Sequence, residues 1–251
     1  MTLARIGAAF SRHLSSYKAE AQAQRRIART LFEDLRPFVP PCPRILEAGH
    51  GSGFLTSGLI TLAPRVFWLN DLAAPLPDLA WTAPPARLAG DIAQLALPQR
   101  LDLIASSSML QWIPNPESLI QGFCGALAPG GILAISSFGP ENFAELAALG
   151  LPPGASSYRR GAALAAALPA EMELLAARDD AIPVHFPTAQ ALFAHLRATG
   201  VNGLLGGRLR PAALKALMAR MNREGDLTLT YRPSYCLARK SGQTGVTRKQ
   251  V

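Results

Sequence analysis

The stretch Ile45-Leu46-Glu47-Ala48-Gly49-His50-Gly51-Ser52-Gly53-Phe54 decides the fold of this chain. A short apolar run comes first, three alternate glycines follow, and a helical pattern begins after them. This order predicts a buried strand that turns tightly into a helix. Glycine adopts positive φ readily and lets a ligand approach the main chain closely. The stretch therefore predicts a ligand-binding turn at the end of the first strand.

The spacing of the glycines separates this turn from dinucleotide-binding loops. A GxGxxG loop would require glycine at position 54, where the chain has Phe54. S-adenosylmethionine has no pyrophosphate to seat at a helix N-terminus, so it suits the GxGxG form better. Another nucleotide stays an alternative, because a short glycine motif alone is a weak signal.

Two acidic residues follow at the ends of the next apolar runs. Asp71 ends the run 65–71, and Asp91 follows a further short run and Gly90. Ligands of open α/β sheets bind where the carboxyl ends of the strands meet. We expect Asp71 to accept hydrogen bonds from both ribose hydroxyls and Asp91 to accept one from the adenine amino group. For Asp71, a role as a helix cap or turn residue is the alternative. The complete predicted set of cofactor-binding residues is Glu47, Gly49, Gly51, Gly53, Asp71, Leu72, Asp91, Ile92 and Ser106.

The remaining pattern indicates an α/β fold with a doubly wound, mostly parallel sheet. Strands at 101–106 and 132–137 enclose a helix at 116–127, for which Asn115 is the expected cap. Beyond Gly139 the pattern changes. Helical stretches at 188–199 and 211–221 flank a glycine-rich turn at 200–207 and predict a helical insertion, and alternating runs at 226–232 and 234–239 predict an antiparallel C-terminal hairpin.

We expect a single domain with a short tail. Residues 1–240 would form it, with an N-terminal helical cap at 10–36, a cofactor-binding core at 44–139 and a helical lid or insertion at about 150–222. The polar residues 241–251 are expected to be disordered.

The net charge and the cysteine content limit which partners and which cellular compartments we expect. The chain of 251 residues has a formal net charge of +8, which favours acidic partners; a basic composition that only keeps the protein in solution is the alternative. The three cysteines and four histidines are scattered, so we expect a reducing compartment and no metal. No apolar run reaches the ~18 residues of a membrane span. We predict a cytoplasmic location, although the N-terminus faintly resembles a transit peptide.

The order of these motifs resembles the class I S-adenosylmethionine-dependent methyltransferases. More narrowly, the chain is similar to the malonyl-[acyl-carrier protein] O-methyltransferases of biotin synthesis, the BioC family. The matching pieces run from about residue 10 to 239: Phe10-Ser11-Arg12, Tyr17, Gln24, Gln111-Trp112, Ser137-Phe138-Gly139-Pro140, Glu145-Leu146, His195 to Val201 and Leu229-Thr230-Tyr231. The chain departs from the family at His50, where Cys is usual, and in the proline-rich segment after Asp71.

The resemblance implies that the chain esterifies the free carboxylate of a malonyl thioester, carried by acyl-carrier protein or by CoA, with S-adenosyl-L-methionine as cofactor. A carboxylate is ionised at neutral pH and needs no general base, so the lack of an obvious catalytic triad is compatible with this reaction. The residues that we expect to position the substrate are Tyr17, Gln111, Trp112, Arg159 and Arg160, with Arg197 a further candidate for the carboxylate-binding cation. A buried core Trp, a surface Tyr and solvent-exposed arginines are the alternatives.

Two other functions stay open from the sequence. One is a methyltransferase of this fold that acts on another small acid or on RNA. Nucleic acid is disfavoured, because the chain has neither an appended RNA-binding domain nor interleaved aromatic and basic residues. The other is an assembly factor that keeps the fold without transferring a methyl group. Carrier preference and oligomeric state are not predicted.

Overall fold

A computed structural model describes residues 21–72, 75–151, 157–199, 210–225 and 227–242. The helices are α1 (Gln22–Leu35), α2 (Thr56–Leu59), α3 (Pro116–Ala126), α4 (Ala144–Ala148), α5 (Gly161–Ala166), α6 (Ala189–Ala198) and α7 (Pro211–Glu224). The strands are β1 (Arg44–Ala48), β2 (Val66–Asp71), β3 (Ala86–Ala89), β4 (Leu101–Ser107), β5 (Leu127–Phe138), β6 (Met172–Asp179), β7 (Ile182–His185), β8 (Thr228–Tyr231) and β9 (Pro233–Lys240). Tyr17, the turn 200–207 and the tail from 243 onward lie outside the described residues.

The main sheet has the strand order β3-β2-β1-β4-β5-β9-β6. Its strands β1 to β5 pair in parallel, whereas β9 runs antiparallel to both β5 and β6. The order reverses between β1 and β4, and a ligand crevice opens beyond the carboxyl ends of the strands at such a point. The predicted α/β fold with a doubly wound, mostly parallel sheet is confirmed.

The C-terminal strands exist, but they do not pair with one another as we expected. β8 pairs antiparallel with β7, and β9 fills the gap between β5 and β6 in the main sheet. Only Arg232 separates β8 from β9, which is too short for the two-residue turn of a tight hairpin. The antiparallel ribbon of this fold is therefore β7 with β8, two strands that are far apart in sequence.

The region 150–222, for which we expected helices, also contains strands. The helices α6 and α7 are present, but β6 and β7 precede them. The β6 sequence MELLAARD is rich in helix-forming residues. Pairing with β9 along the sheet edge overrides that preference, since strand formation depends on tertiary context more than on propensity.

The core lies on both faces of the sheet. On one face α1 buries Ile27, Leu31 and Leu35 at helical spacing, and on the other α3 buries Leu119 and Phe123. As expected, Asn115 caps α3, because its side chain accepts a hydrogen bond from the Ser118 N–H. In the part of the chain that the structure describes, no helix is long and apolar enough to cross a membrane.

Candidate cofactor and acceptor site

The glycine turn follows β1 directly and is tied to the neighbouring strand. The backbone N–H groups of Gly49 and His50 both donate to the carbonyl oxygen of Asn70, each at 3.0 Å. A Cβ atom at Gly49 would lie 2.4 Å from Met109 Cγ, whereas a Cβ at Gly51 would meet nothing within 4 Å, although φ is positive at both residues. Gly49 is therefore needed for close packing, and Gly51 faces open space at the sheet edge.

Asp71 lies beside the glycine turn, at the carboxyl end of β2. Its Oδ2 accepts a hydrogen bond from the Gly51 N–H at 2.9 Å. Asn70 donates from its side chain to the carbonyl oxygens of Leu88 and Gly90, at 2.8 and 3.0 Å, and thereby fixes the end of β3 against β2. Hydrogen bonds thus join the turn and the two strand ends into one edge.

The other predicted cofactor residues differ in what their side chains do. Asp91 Oδ1 accepts from the Ala93 N–H at 3.0 Å, so one oxygen stabilises its own turn. Ile92 is buried in the core on the α3 face, while Leu72 is half-buried after Asp71. The Ser106 hydroxyl is fully buried and donates to the Ala48 carbonyl at 2.8 Å. Ser106 therefore joins β4 to β1 through its side chain.

Glu47 is the most perturbed acid of the turn. Its carboxyl group is buried, and this burial raises its pKa to about 8; the charge of Asp71 acts in the same direction, and hydrogen bonding from Thr56 opposes it. Among the described residues Glu47 Oε2 has no hydrogen-bond partner. An unsatisfied buried oxygen is costly without a donor. It fits a ligand that presents an N–H group or a positive charge.

His50 is also buried, in the middle of the glycine turn. Burial lowers its pKa. This effect is larger than that of the neighbouring Asp71 charge, which raises the pKa. Its Nδ1 lies 3.1 Å from the Gly51 carbonyl oxygen. A neutral imidazole that donates from Nδ1 to this oxygen satisfies both observations.

The predicted acceptor residues Gln111 and Trp112 follow β4 directly, in a short 3-10 turn. Gln111 is buried and its Nε2 donates to the Ser108 carbonyl at 2.6 Å. Within the described ranges, Gln111 Oε1 and the Ser108 hydroxyl have no hydrogen-bond partner. Ser108 has a positive φ of 55°, a conformation that costs energy for a residue with a Cβ. Trp112 is half-buried beside them.

The segment Ser157-Tyr158-Arg159 contacts the turn that follows β4 and the end of β5. The Ser157 hydroxyl donates to the Gln111 carbonyl. The Tyr158 ring lies 6.3 Å from that of Phe138, the last residue of β5, and burial raises the pKa of the Tyr158 hydroxyl to about 12. The Arg159 N–H donates to the Phe138 carbonyl at 3.0 Å. The segment is thus held to the turn after β4 and to the end of β5, and because it contacts or contains predicted acceptor residues we call segment 157–159 the acceptor wall.

The two adjacent arginines occupy different environments. Arg159 is half-buried, and its Nε donates to Glu117 Oε1 at 2.6 Å while its NH1 group donates to the Tyr158 carbonyl at 3.0 Å. This hydrogen bond lowers the pKa of Glu117. Arg160 is exposed and forms an ion pair with Glu141. Of the two arginines, Arg159 is the one whose side chain is oriented by Glu117 and whose backbone is bonded to the end of β5.

Sequence reasoning missed Ser108, Glu117 and Ser157. Glu117 and Ser157 carry no local motif and contact the predicted residues across 42 and 46 positions of sequence. Ser108 is distinguished by its positive φ and its buried hydroxyl, which the sequence does not show. The residues that the structure describes contain no group of three His, Cys, Asp or Glu side chains that could hold a metal ion.

The chain is similar in sequence to known methyltransferases. A methyltransferase domain model matches residues 46–135. The malonyl-[acyl-carrier protein] O-methyltransferase of Bacteroides thetaiotaomicron is 33% identical, over 94% of this chain and 97% of that protein. The protein of the same name from Chlorobium phaeovibrioides is also 33% identical, over 94% of this chain and 95% of its own length.

Solved structures share the fold at low sequence identity. The YcgJ protein of Bacillus subtilis superposes with a TM-score of 0.59 at 11% identity, covering 85% of this chain and 98% of that one. The [4+2]-cyclase SpnF reaches a TM-score of 0.50 at 16% identity, covering 85% and 80%. Because a cyclase shares it, the fold alone does not decide the reaction. Identity over nearly the full length does decide the family, and the chain belongs to the malonyl-[acyl-carrier protein] O-methyltransferases, S-adenosylmethionine-dependent enzymes of class I.

Proposed function

We propose that this protein transfers the methyl group of S-adenosyl-L-methionine to the free carboxylate of a malonyl thioester, with malonyl-acyl-carrier protein as the acceptor, in early biotin synthesis. The observation that carries the proposal is the full-length similarity to relatives of that name. The polar groups at the ends of β1, β2, β4 and β5 support it.

The residues present fit S-adenosylmethionine. We assign the ribose hydroxyls to Asp71, whose carboxylate is held beside Gly51, and the adenine side to Asp91 and Ile92. The open space at Gly51 would receive the cofactor. The unsatisfied Glu47 Oε2 would accept from its ammonium group, an interaction that favours the ionised carboxylate.

The bound cofactor supplies a methyl group that its sulfonium already activates for in-line displacement. The chain therefore has to bind the acceptor carboxylate in line with that methyl group and to exclude water. A carboxylate oxygen forms the new bond to carbon as the carbon–sulfur bond breaks, and the electron pair stays on sulfur. No proton moves, so no general base is required.

Arg159 is the cation that we assign to the acceptor carboxylate. A guanidinium has five donors in a fixed fork and holds carboxylates through paired hydrogen bonds. Its backbone is bonded to the end of β5 and its side chain is oriented by Glu117. Gln111 and Trp112 would flank the same acceptor, since Gln111 contacts Ser157 of this wall.

The acidic carrier is the partner that the charge distribution favours. Helix α7 and the residue before it carry Arg210, Lys215, Arg220 and Arg223, all exposed, against one acid, Glu224. β8 follows α7, and the Arg232 carbonyl at its end accepts from the Gly139 N–H just beyond β5. A docking surface on α7 would thus be connected to the acceptor side. The cytoplasmic location stays a prediction.

A panel of acceptors tests the proposal. Malonyl-carrier protein should be methylated, and acetyl-carrier protein, which lacks the free carboxylate, should not. Malonyl-CoA is the matched acceptor without a protein carrier and should react with a higher KM. Equal transfer to malonyl and acetyl carriers, or labelling of RNA instead, would overturn the proposal.

A further inference from the structure

Three segments outside the proposed cofactor and acceptor sites meet in one buried cluster. Gln24 lies near the start of α1, His195 and Thr199 lie at the end of α6, and Tyr231 ends β8. His195 Nε2 lies 2.7 Å from the Tyr231 hydroxyl, and the Thr199 hydroxyl donates to the His195 carbonyl at 2.8 Å. The side chain of Gln24 also hydrogen-bonds with the Tyr231 side chain, so α1, α6 and β8 share one polar contact region inside the apolar core.

The cluster is unusual because apolar groups surround it. The Tyr231 ring packs against Phe143 with centroids 4.7 Å apart and against Phe138 at 6.0 Å. Burial raises the pKa of the Tyr231 hydroxyl, and hydrogen bonding from Thr199 and Gln24 opposes that rise. Buried polar groups cost free energy unless they are paired. Their benefit is directional, since a hydrogen bond fixes a geometry that apolar contacts leave loose.

The geometry that the cluster fixes is that of the acceptor wall. Tyr231 contacts Phe138 at the end of β5, and Phe138 contacts the Tyr158 ring and accepts through its carbonyl from the Arg159 N–H. The contact chain therefore runs from His195 through Tyr231 and Phe138 to Arg159. It does not pass through the glycine turn on the other side of the sheet edge.

We infer that Tyr231, held by His195 and Gln24, is a positioning residue that sets Phe138 and the segment 157–159 for binding of the acceptor. This inference rests on the proposed function in naming the acceptor as a malonyl thioester. Tyr231 has no exposed surface, so it acts through Phe138 and does not touch the substrate.

Tyr231→Phe tests the inference, because it removes one oxygen and leaves the ring packing. We expect the KM for malonyl-carrier protein to rise about tenfold, the ratio that corresponds to one buried hydrogen bond. The Kd for S-adenosylmethionine should stay within about twofold. Hydrogen exchange at the Arg159 amide should become about tenfold faster, since its bond to Phe138 would open more often.

Two control variants separate positioning from stability. Tyr235→Phe removes another buried tyrosine hydroxyl, on β9, whose ring packs under the Arg178 guanidinium 4.4 Å away. Ile27→Val shortens a fully buried side chain of α1 and should destabilise the fold by an amount comparable with the loss of one hydrogen bond. Both should leave the KM and the Arg159 exchange rate unchanged.

The readouts distinguish two kinds of failure. If the unaltered protein does not methylate malonyl-carrier protein, the proposed function falls, and the exchange rate of Arg159 still decides the positioning role. If Tyr231→Phe leaves that rate unchanged, or if the control variants raise it equally, the positioning role is wrong. A rise in the Kd for the cofactor equal to the rise in KM would also overturn it.

Discussion

The proposed cofactor side and the proposed acceptor side lie on the same sheet edge, but the chain specifies them differently. The cofactor side consists of short contiguous stretches, 45–54, 70–72 and 90–92, each placed by the strand that precedes it. The acceptor side joins segments between Gln24 and Tyr231, and long-range hydrogen bonds hold it together. Local backbone chemistry is enough to build a site for a common cofactor. Selection of one acceptor requires tertiary contacts that no single motif encodes.

The largest expected effect is on the cofactor side, at Gly51. Gly51→Val introduces a side chain at φ 51°, into the space assigned to the cofactor. Strain should cost about 1–2 kcal/mol of folding free energy, and steric exclusion should weaken S-adenosylmethionine binding by about 3 kcal/mol, the upper end of the usual cost of overpacking. Calorimetry of the folded variant measures the second effect.

Gly130→Val is the matched control for this substitution. Gly130 also has a positive φ, and a Cβ there would meet nothing within 4 Å. It lies within β5 and away from the glycine turn. The control should lose similar stability and keep normal cofactor affinity. If both variants lose affinity equally, the glycine turn is not the cofactor site.

On the acceptor side we expect a smaller effect from Arg159. Arg159→Lys keeps the positive charge and removes the planar fork that pairs with carboxylates. The KM for malonyl-carrier protein should rise by the factor that corresponds to about 1.5–3 kcal/mol, the free energy of a hydrogen bond to a charged group. Arg160→Lys, in the exposed ion pair with Glu141, should change little. Steady-state kinetics of both variants decides between the adjacent arginines.

Glu47 should make both the stability of the fold and the affinity for the cofactor depend on pH. Burial raises the pKa of its carboxyl group from the ordinary 4.5 to about 8 in the folded protein. The ionised form is therefore disfavoured by folding, and stability without cofactor should fall as pH rises between these values, by a few kcal/mol at most. Glu47→Gln should remove most of this slope in thermal unfolding.

Cofactor binding should show the opposite trend with pH. An ammonium group beside Glu47 favours the ionised carboxylate, so affinity for S-adenosylmethionine should increase from pH 6 to 8. His50 lies in the same turn and its pKa is also shifted, which is why the Gln variant is the necessary reference. An equally steep pH dependence in Glu47→Gln would assign the effect to His50 or to the ligand.

The smallest effect concerns docking of the carrier. Exposed charge pairs weaken as the Debye length falls from ~10 Å at 0.1 M salt to ~3 Å at 1 M. Rising salt should increase the KM for malonyl-carrier protein and leave kcat nearly constant, with much less effect for malonyl-CoA. Charge reversal at Arg210 and Lys215 should reproduce the salt effect, and reversal at the exposed Arg65, before β2, should not. Equal salt sensitivity of both acceptors would remove the docking role.

The sequence predicted the parallel strands and the glycine turn well, because apolar runs and glycine spacing are local signals. The sequence did not predict the partners of β8 and β9, because the pairing of a strand depends on which other strands of the fold still have an unpaired edge. It also failed on β6, where helix-forming residues occupy a sheet edge. Arg159 and Arg160 were indistinguishable in sequence. In the structure, contacts with Glu117 and with the end of β5 distinguish Arg159 from Arg160.

Locating the transferred methyl group tests the central claim most directly. Purified protein is incubated with S-adenosylmethionine labelled in the methyl group and with malonyl-acyl-carrier protein, and the product is fragmented by mass spectrometry. We predict one label per carrier, as a methyl ester on the distal carboxylate of the malonyl group. A label on the protein part of the carrier, or an unlabelled malonyl group after the cofactor has been consumed, would contradict carboxylate methylation.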